Sequence, residues 1–120
     1  MANDARRVGS QFETDALVFL RESGVSTERL ARAGANDEGD LAIGGGAFIA
    51  ELKARRDRNS SLNLHAWLLE AEREADNYAK ARNLSASPTP VLVVKNPRHK
   101  IEDSFVVLRL KDFISGEENV

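Results

Sequence analysis

The segment from Leu64 to Arg82 limits most sharply what this chain can become. Leu64, Trp67, Leu68, Ala71, Ala75, Tyr78 and Ala79 fall on one stripe at helical spacing, with charged residues opposite. The small residues on that stripe would let the helix lie close against a sheet. Strand-like runs flank it on both sides. Phe48 to Ala54 precedes it, and after Pro88 and Pro90 comes VLVVK, the short apolar run of a buried strand. A long amphipathic helix between two such runs predicts an α/β fold.

The remaining elements extend this scheme. Phe12, Ala16, Leu17, Phe19 and Leu20 share an arc, predicting a first helix from about Ser10 to Ser23, ended by Gly24. A short strand is expected near Leu30. Asp40 to Ile43 and Phe48 to Ala54, joined by Gly44-Gly45-Gly46, read as a hairpin. Arg55 to Ser61 is a polar, basic loop. A strand from Ser104 to Leu110 and a last helical turn from Lys111 to Ile114 complete the chain. The expected architecture is an α/β sandwich around a mixed sheet. The 120 residues suffice for one domain with a real core and not for two, so 1–120 is expected to be a single domain with flexible ends at 1–8 and 115–120.

Composition excludes several function classes. Cysteine is absent, which rules out disulfides and thiolate metal sites and suits a cytoplasmic protein. No apolar run approaches a membrane span, and MANDARRVGS lacks the apolar core of a secretory signal. The net charge of −2 gives no general basic surface, yet Arg6 and Arg7, then Lys53, Arg55, Arg56 and Arg58, then Lys95, Arg98 and Lys100 form basic clusters.

Chemistry concentrates in AFIAELKA. The period of two puts Ile49, Glu51 and Lys53 on one face and Ala50, Leu52 and Ala54 on the other. The hairpin brings Asp40 back beside Glu51, and two carboxylates on adjacent strands suit a hard cation such as Mg²⁺. Lys53, one pleat further on, would hold an attacking water or stabilise charge developing on a phosphate. An exposed cross-strand ion pair would use the same residues. Glu13 lies within the apolar arc of the first helix, where a carboxylate needs a partner. It could instead close a capping box with Ser10. Trp67 and Tyr78 share the core stripe and read as packing rather than base stacking. His65 and His99 are isolated and have no ligand spacing.

Gly39-Asp40 followed by Glu51-Leu52-Lys53 resembles the D…(E/D)-x-K signature of the restriction-endonuclease-like nuclease superfamily. Arg7-Val8-Gly9-Ser10-Gln11-Phe12-Glu13 resembles the opening of the archaeal Holliday junction resolvases, a basic residue followed by G-S-x-x-E. Arg29-Leu30-Ala31-Arg32-Ala33-Gly34, ahead of Gly39-Asp40-Leu41-Ala42, is similar to the segment leading into their metal-binding aspartate. The resemblance covers roughly residues 6 to 113.

It implies a restriction-endonuclease-like core with a mixed β-sheet of about five strands flanked by helices. It also implies a magnesium-dependent endonuclease, with Mn²⁺ able to substitute, that cuts four-way DNA junctions as a homodimer in the cytoplasm of a prokaryotic cell or a phage host. Asp40 and Glu51 would bind the metal with the main-chain carbonyl of Leu52, and Glu13 would join them directly or through water. Lys53 would position the attacking water. Arg7, Ser10, Arg32, Arg55, Arg56 and Arg58 would contact DNA. Gly39 stands where the superfamily often has proline, a tolerated change. Ala33 replaces the family's loop serine, which removes a hydroxyl contact from that loop. A nuclease of the same fold with a repair, nicking or restriction substrate, and a non-catalytic nucleic-acid-binding module, remain the competing readings.

Overall fold

Strand β3 (Phe48–Lys53) is the middle of a five-stranded sheet, and its alternation organises the molecule. The computed structural model describes residues 2–55 and 61–118. Strands β1 (Thr27–Arg29), β2 (Leu41–Ile43), β3, β4 (Thr89–Val94) and β5 (Phe105–Val107) lie side by side in chain order. The β1–β2, β2–β3 and β4–β5 pairs are antiparallel, whereas β3 and β4 run parallel. Helix α2 (Leu64–Ala81) makes the crossover that a parallel pair requires. The mixed sheet expected from the sequence is therefore present.

Helices cover both faces. Ala50 and Leu52 of β3, with Leu41 and Val91, pack under Phe12 and Ala16 of α1 (Ala2–Glu22). On the opposite face Ile49 and Ala42 meet Ala75 and Tyr78 of α2, while Leu92 and Val94 meet Leu68 and Ala71. Burying each large aliphatic side chain contributes roughly 1.5–3 kcal/mol. Ala71 and Ala75, almost fully buried, set how closely α2 approaches. The turn between β2 and β3 is held against α2 as well, because a Cβ at Gly46 would lie 2.8 Å from Tyr78 Oη. None of the described helices is long and apolar enough to cross a membrane.

Three boundaries differ from expectation, and the strand expected over Ser104 to Leu110 is confined to Phe105–Val107. Helix α1 opens at Ala2 rather than near Ser10. Its first two turns precede the apolar arc, and hydrophobic periodicity registers burial rather than helicity. Ser10 is consequently mid-helix, and the capping box with Glu13 does not form. The other end of α1 is as expected. Gly24 takes φ +84, and the Val25 N–H donates to the Leu20 carbonyl at 2.9 Å, a Schellman closure. At the carboxyl end, the expected last turn is a nine-residue helix, α3 (Leu110–Glu118).

Candidate metal and nucleic-acid site

The site lies where β3 emerges from the sheet, and Asp40 is fixed there by three hydrogen bonds. Its N–H donates to the Ala50 carbonyl at 2.9 Å, and its carbonyl accepts from the Leu30 N–H at 2.9 Å. The Leu52 N–H donates to Asp40 Oδ2 at 2.8 Å. The carboxylate is thereby held beside Glu51. Gly39 makes this path possible. It has φ +103, and a Cβ there would come within 2.8 Å of Ile49 Cγ2. A proline, with φ near −65°, could not adopt this turn, so glycine comes with its own backbone route into the aspartate. Gly39→Ala is expected to cost about 1–3 kcal/mol, read as a lowered urea midpoint.

Glu51 is buried, and its burial, a hydrogen bond to Glu74, and the charge of Asp40 together hold its carboxyl far above the usual range. Glu74 of α2 is 2% exposed, and burial raises its carboxyl too, helped by the charges of Glu70 and Asp40. Two buried carboxyls in contact cannot both ionise cheaply, so the pair retains a proton. Lys53 Nζ sits 3.8 Å from Glu51 Oε1 and 3.1 Å from Glu70 Oε1, with the Trp67 ring centroid 5.6 Å away. The lysine therefore faces an acidic cluster rather than solvent.

Glu13 reaches the same end of the sheet from α1. Burial and the charge of Asp40 raise its carboxyl, while Arg29 and Arg32, each 3.6 Å away, oppose that shift. Arg29 also donates to the Ser10 carbonyl at 3.0 Å, tying β1 to the helix. Arg6, Ser10, Glu13, Arg29, Leu30 and Arg32 line a groove of about 470 Å³. The loop from η1 (Gly34–Asn36) to Asp40 is tied to α2, since Asn77 Nδ2 donates to the Asp37 carbonyl at 2.9 Å and Arg82 pairs with Glu38 at 3.0 Å. Ala33 donates its N–H to Asp37 Oδ1 at 2.9 Å.

Glu13, Asp40, Glu51 and Lys53 are thus brought together. Ser10 and Arg32 border the groove, and Arg32 is 80% exposed at its side chain. Arg7 is exposed on α1, and it is Arg6, one residue earlier, that lines the groove. Arg55 follows β3 and is partly buried, whereas Arg56 and Arg58 lie outside the described residues. The carbonyl of Leu52 belongs to the residue whose N–H holds Asp40.

Sequence reasoning missed Glu70, Glu74, Arg6 and Arg29. Glu74 had a signal. It stands three residues after Ala71 and four before Tyr78, inside the apolar stripe, as Glu13 does on α1. Glu51, Glu70 and Glu74 each offer an oxygen within 4.8 Å of the others and could hold a metal ion. Oε2 of Glu74 is buried and accepts no hydrogen bond from a described residue. Oxygen-only, anion-rich and incompletely hydrogen-bonded, the residues present fit a hard divalent cation.

No protein-family model matches the sequence, and no curated protein matches it significantly. Among solved structures, the chain is similar to Archaeoglobus fulgidus Hjc, a Holliday junction resolvase from an archaeal hyperthermophile. The TM-score is 0.51, with 22% sequence identity over 84% of this chain and 88% of that one. This chain has the resolvase fold. The resemblance seen in the sequence and the likeness in three dimensions lead to the same archaeal proteins. Within that fold the acidic end of β3, with Glu13 opposite, is the candidate site.

Proposed function

We propose that this protein is a divalent-metal-dependent endonuclease that cuts four-way DNA junctions as a symmetric homodimer. The observation that carries the reading is the convergence of Glu13, Asp40, Glu51 and Lys53 at one end of the sheet, in a chain with the resolvase fold. Asp40 and Glu51, with the Leu52 carbonyl, would hold Mg²⁺ or Mn²⁺, and Glu13 would join them directly or through water. The cation would supply Lewis-acid stabilisation of the phosphodiester and lower the pKa of a water.

The chain's own residues do the rest. Asp40 is held by Leu52 in one orientation, so its carboxylate needs no reordering when the site fills. Lys53 can orient the attacking water and balance charge on the scissile phosphate. Trp67 closes one side of the lysine and limits how far it swings. Arg6, Arg29, Arg32 and Ser10 border the groove through which a DNA backbone would pass, and Arg7, Arg55, Arg56 and Arg58 would contact DNA as well. Phosphate contacts of this kind make binding salt-dependent and position the strand without reading its sequence.

Purified protein with Mg²⁺ should place paired, symmetric nicks in a synthetic four-way junction and leave duplex, nicked and single-stranded DNA intact. A chelator should abolish the cutting. Cleavage of duplex or single strands would move the protein to another nuclease role on the same fold. Binding without cleavage under any divalent metal would make it a nucleic-acid-binding module.

The dimer also has a candidate surface. Ala16, Phe19, Phe48, Val93, Val106 and Leu108 line an apolar groove on the α1 face, and Leu110 and Phe113 of α3 are exposed beyond it. Paired cuts need two sites related by a two-fold axis, and a self-complementary apolar patch is the economical way to provide one. Val106, on edge strand β5, is 63% exposed. Val106→Asp is expected to convert a dimer to a monomer in sedimentation velocity, and to replace paired nicks by single ones.

A further inference from the structure

We infer that α2 supplies a second divalent-cation site, formed by Glu51, Glu70 and Glu74, so that each chain takes two cations that share Glu51. The inference rests on the nuclease reading for its first cation, held at Asp40 and Glu51, and adds one on the α2 side of the same glutamate. Three observations carry it.

The first is span. The three carboxylates offer oxygens within 4.8 Å of one another. Two oxygens on one hard cation, each about 2.0–2.4 Å from it, lie no more than about 4.8 Å apart. The cluster therefore suits a common ion with little movement.

The second is that Glu74 has no reason to be a glutamate on packing grounds. It is 2% exposed, on a helix face whose other buried members are Leu68, Ala71, Ala75, Tyr78 and Ala79. Its Oε2 is buried and accepts no hydrogen bond from a described residue. A buried carboxylate oxygen without a donor is costly unless a cation answers it. A leucine or glutamine would relieve that cost if the side chain served structure alone.

The third is the local charge count. Lys53 pairs with Glu70 at 3.1 Å and stands 3.8 Å from Glu51, and no described ion pair reaches Glu74. One ammonium thus stands against three carboxyl groups, and Asp40 lies just beyond them. A divalent cation at Glu74 and Glu70 would also free Lys53 from Glu70 to turn toward the substrate phosphate.

Isothermal titration of the full chain with Mn²⁺ alone, without DNA, tests the site by stoichiometry. Two Mn²⁺ per chain are expected for the unaltered protein. Glu74→Gln and, separately, Asp40→Asn should each bind one, and the double variant should lose both high-affinity sites. Should Glu74→Gln fail to fold, Glu70→Gln serves in its place, since Glu70 is partly exposed. One Mn²⁺ per chain, unchanged by Glu74→Gln or Glu70→Gln, would overturn the second site. If that result came with intact junction cleavage, the proposed function would stand without it. Two Mn²⁺ per chain with no cleavage of any DNA would keep the second site and overturn the nuclease.

Discussion

Glu51→Gln is expected to lower junction cleavage by about 10³-fold while making the metal-free protein more stable. Both effects follow from one environment. Glu51 is buried between Asp40 and Glu74, where an ionised carboxylate is held at a cost that only a cation offsets. Glutamine keeps the volume and the hydrogen bond to Glu74 without having to take up a proton at neutral pH, so the metal-free fold is relieved of that cost. It cannot neutralise a divalent ion, so positioning of the cation, and with it the rate, collapses. Single-turnover cleavage at saturating protein and urea unfolding in a chelator separate the two quantities. A variant with lost activity and lowered stability would show that Glu51 is a structural residue. A variant with retained activity would remove it from the site.

The stability of the metal-free protein should fall as pH rises. Glu13, Glu51 and Glu74 are all raised above the 4.5 of an unperturbed glutamate, chiefly by burial. Between 4.5 and their folded values the native state therefore binds more protons than the unfolded chain. Stability is complete below the unfolded value and is lost as the pH climbs toward the folded ones. In calorimetry with chelator present, Tm is expected to drop by about 5–10 °C between about pH 5 and about pH 9. Saturating Mg²⁺ should flatten the slope, because cations bind the deprotonated carboxylates and reward the state that the proton-poor buffer creates. Glu74→Gln should flatten it without metal. A metal-free protein that becomes more stable over the same range would mean that the acidic cluster is well paired by other groups.

How much of this was legible in the sequence differs by element. The β3 alternation, the hairpin, α2 and the buried strand β4 were readable because each buries one face, and burial writes a period into the chain. The first turns of α1 carry no apolar period in the sequence and left no such mark. The site followed the same rule. Asp40, Glu51 and Lys53 could be placed by strand parity and a short turn. The partners of Glu13 could not, since Arg29 and Arg32 arrive from β1 and the loop after it, and only tertiary structure brings them to α1. Glu70 and Glu74 were passed over for another reason. A stripe is recognised by its apolar members, and a polar residue inside it is easily counted as noise. On α2 that residue sits against Glu51.

The hydrogen bond from Leu52 to Asp40 also governs how this protein can change in evolution. It pins β3 at one register, with Glu51 and Lys53 facing α2 and Leu52 facing α1. The Gly44 to Ala47 turn lies at the far end of the hairpin, so a change of length there would disturb its packing on Tyr78 but not the acids. A single residue gained or lost within β3 would do the opposite. It would send two charged side chains under α1 and a leucine into the acidic cluster. Length in the turn is therefore limited by packing on α2, and in the strand beside it by parity.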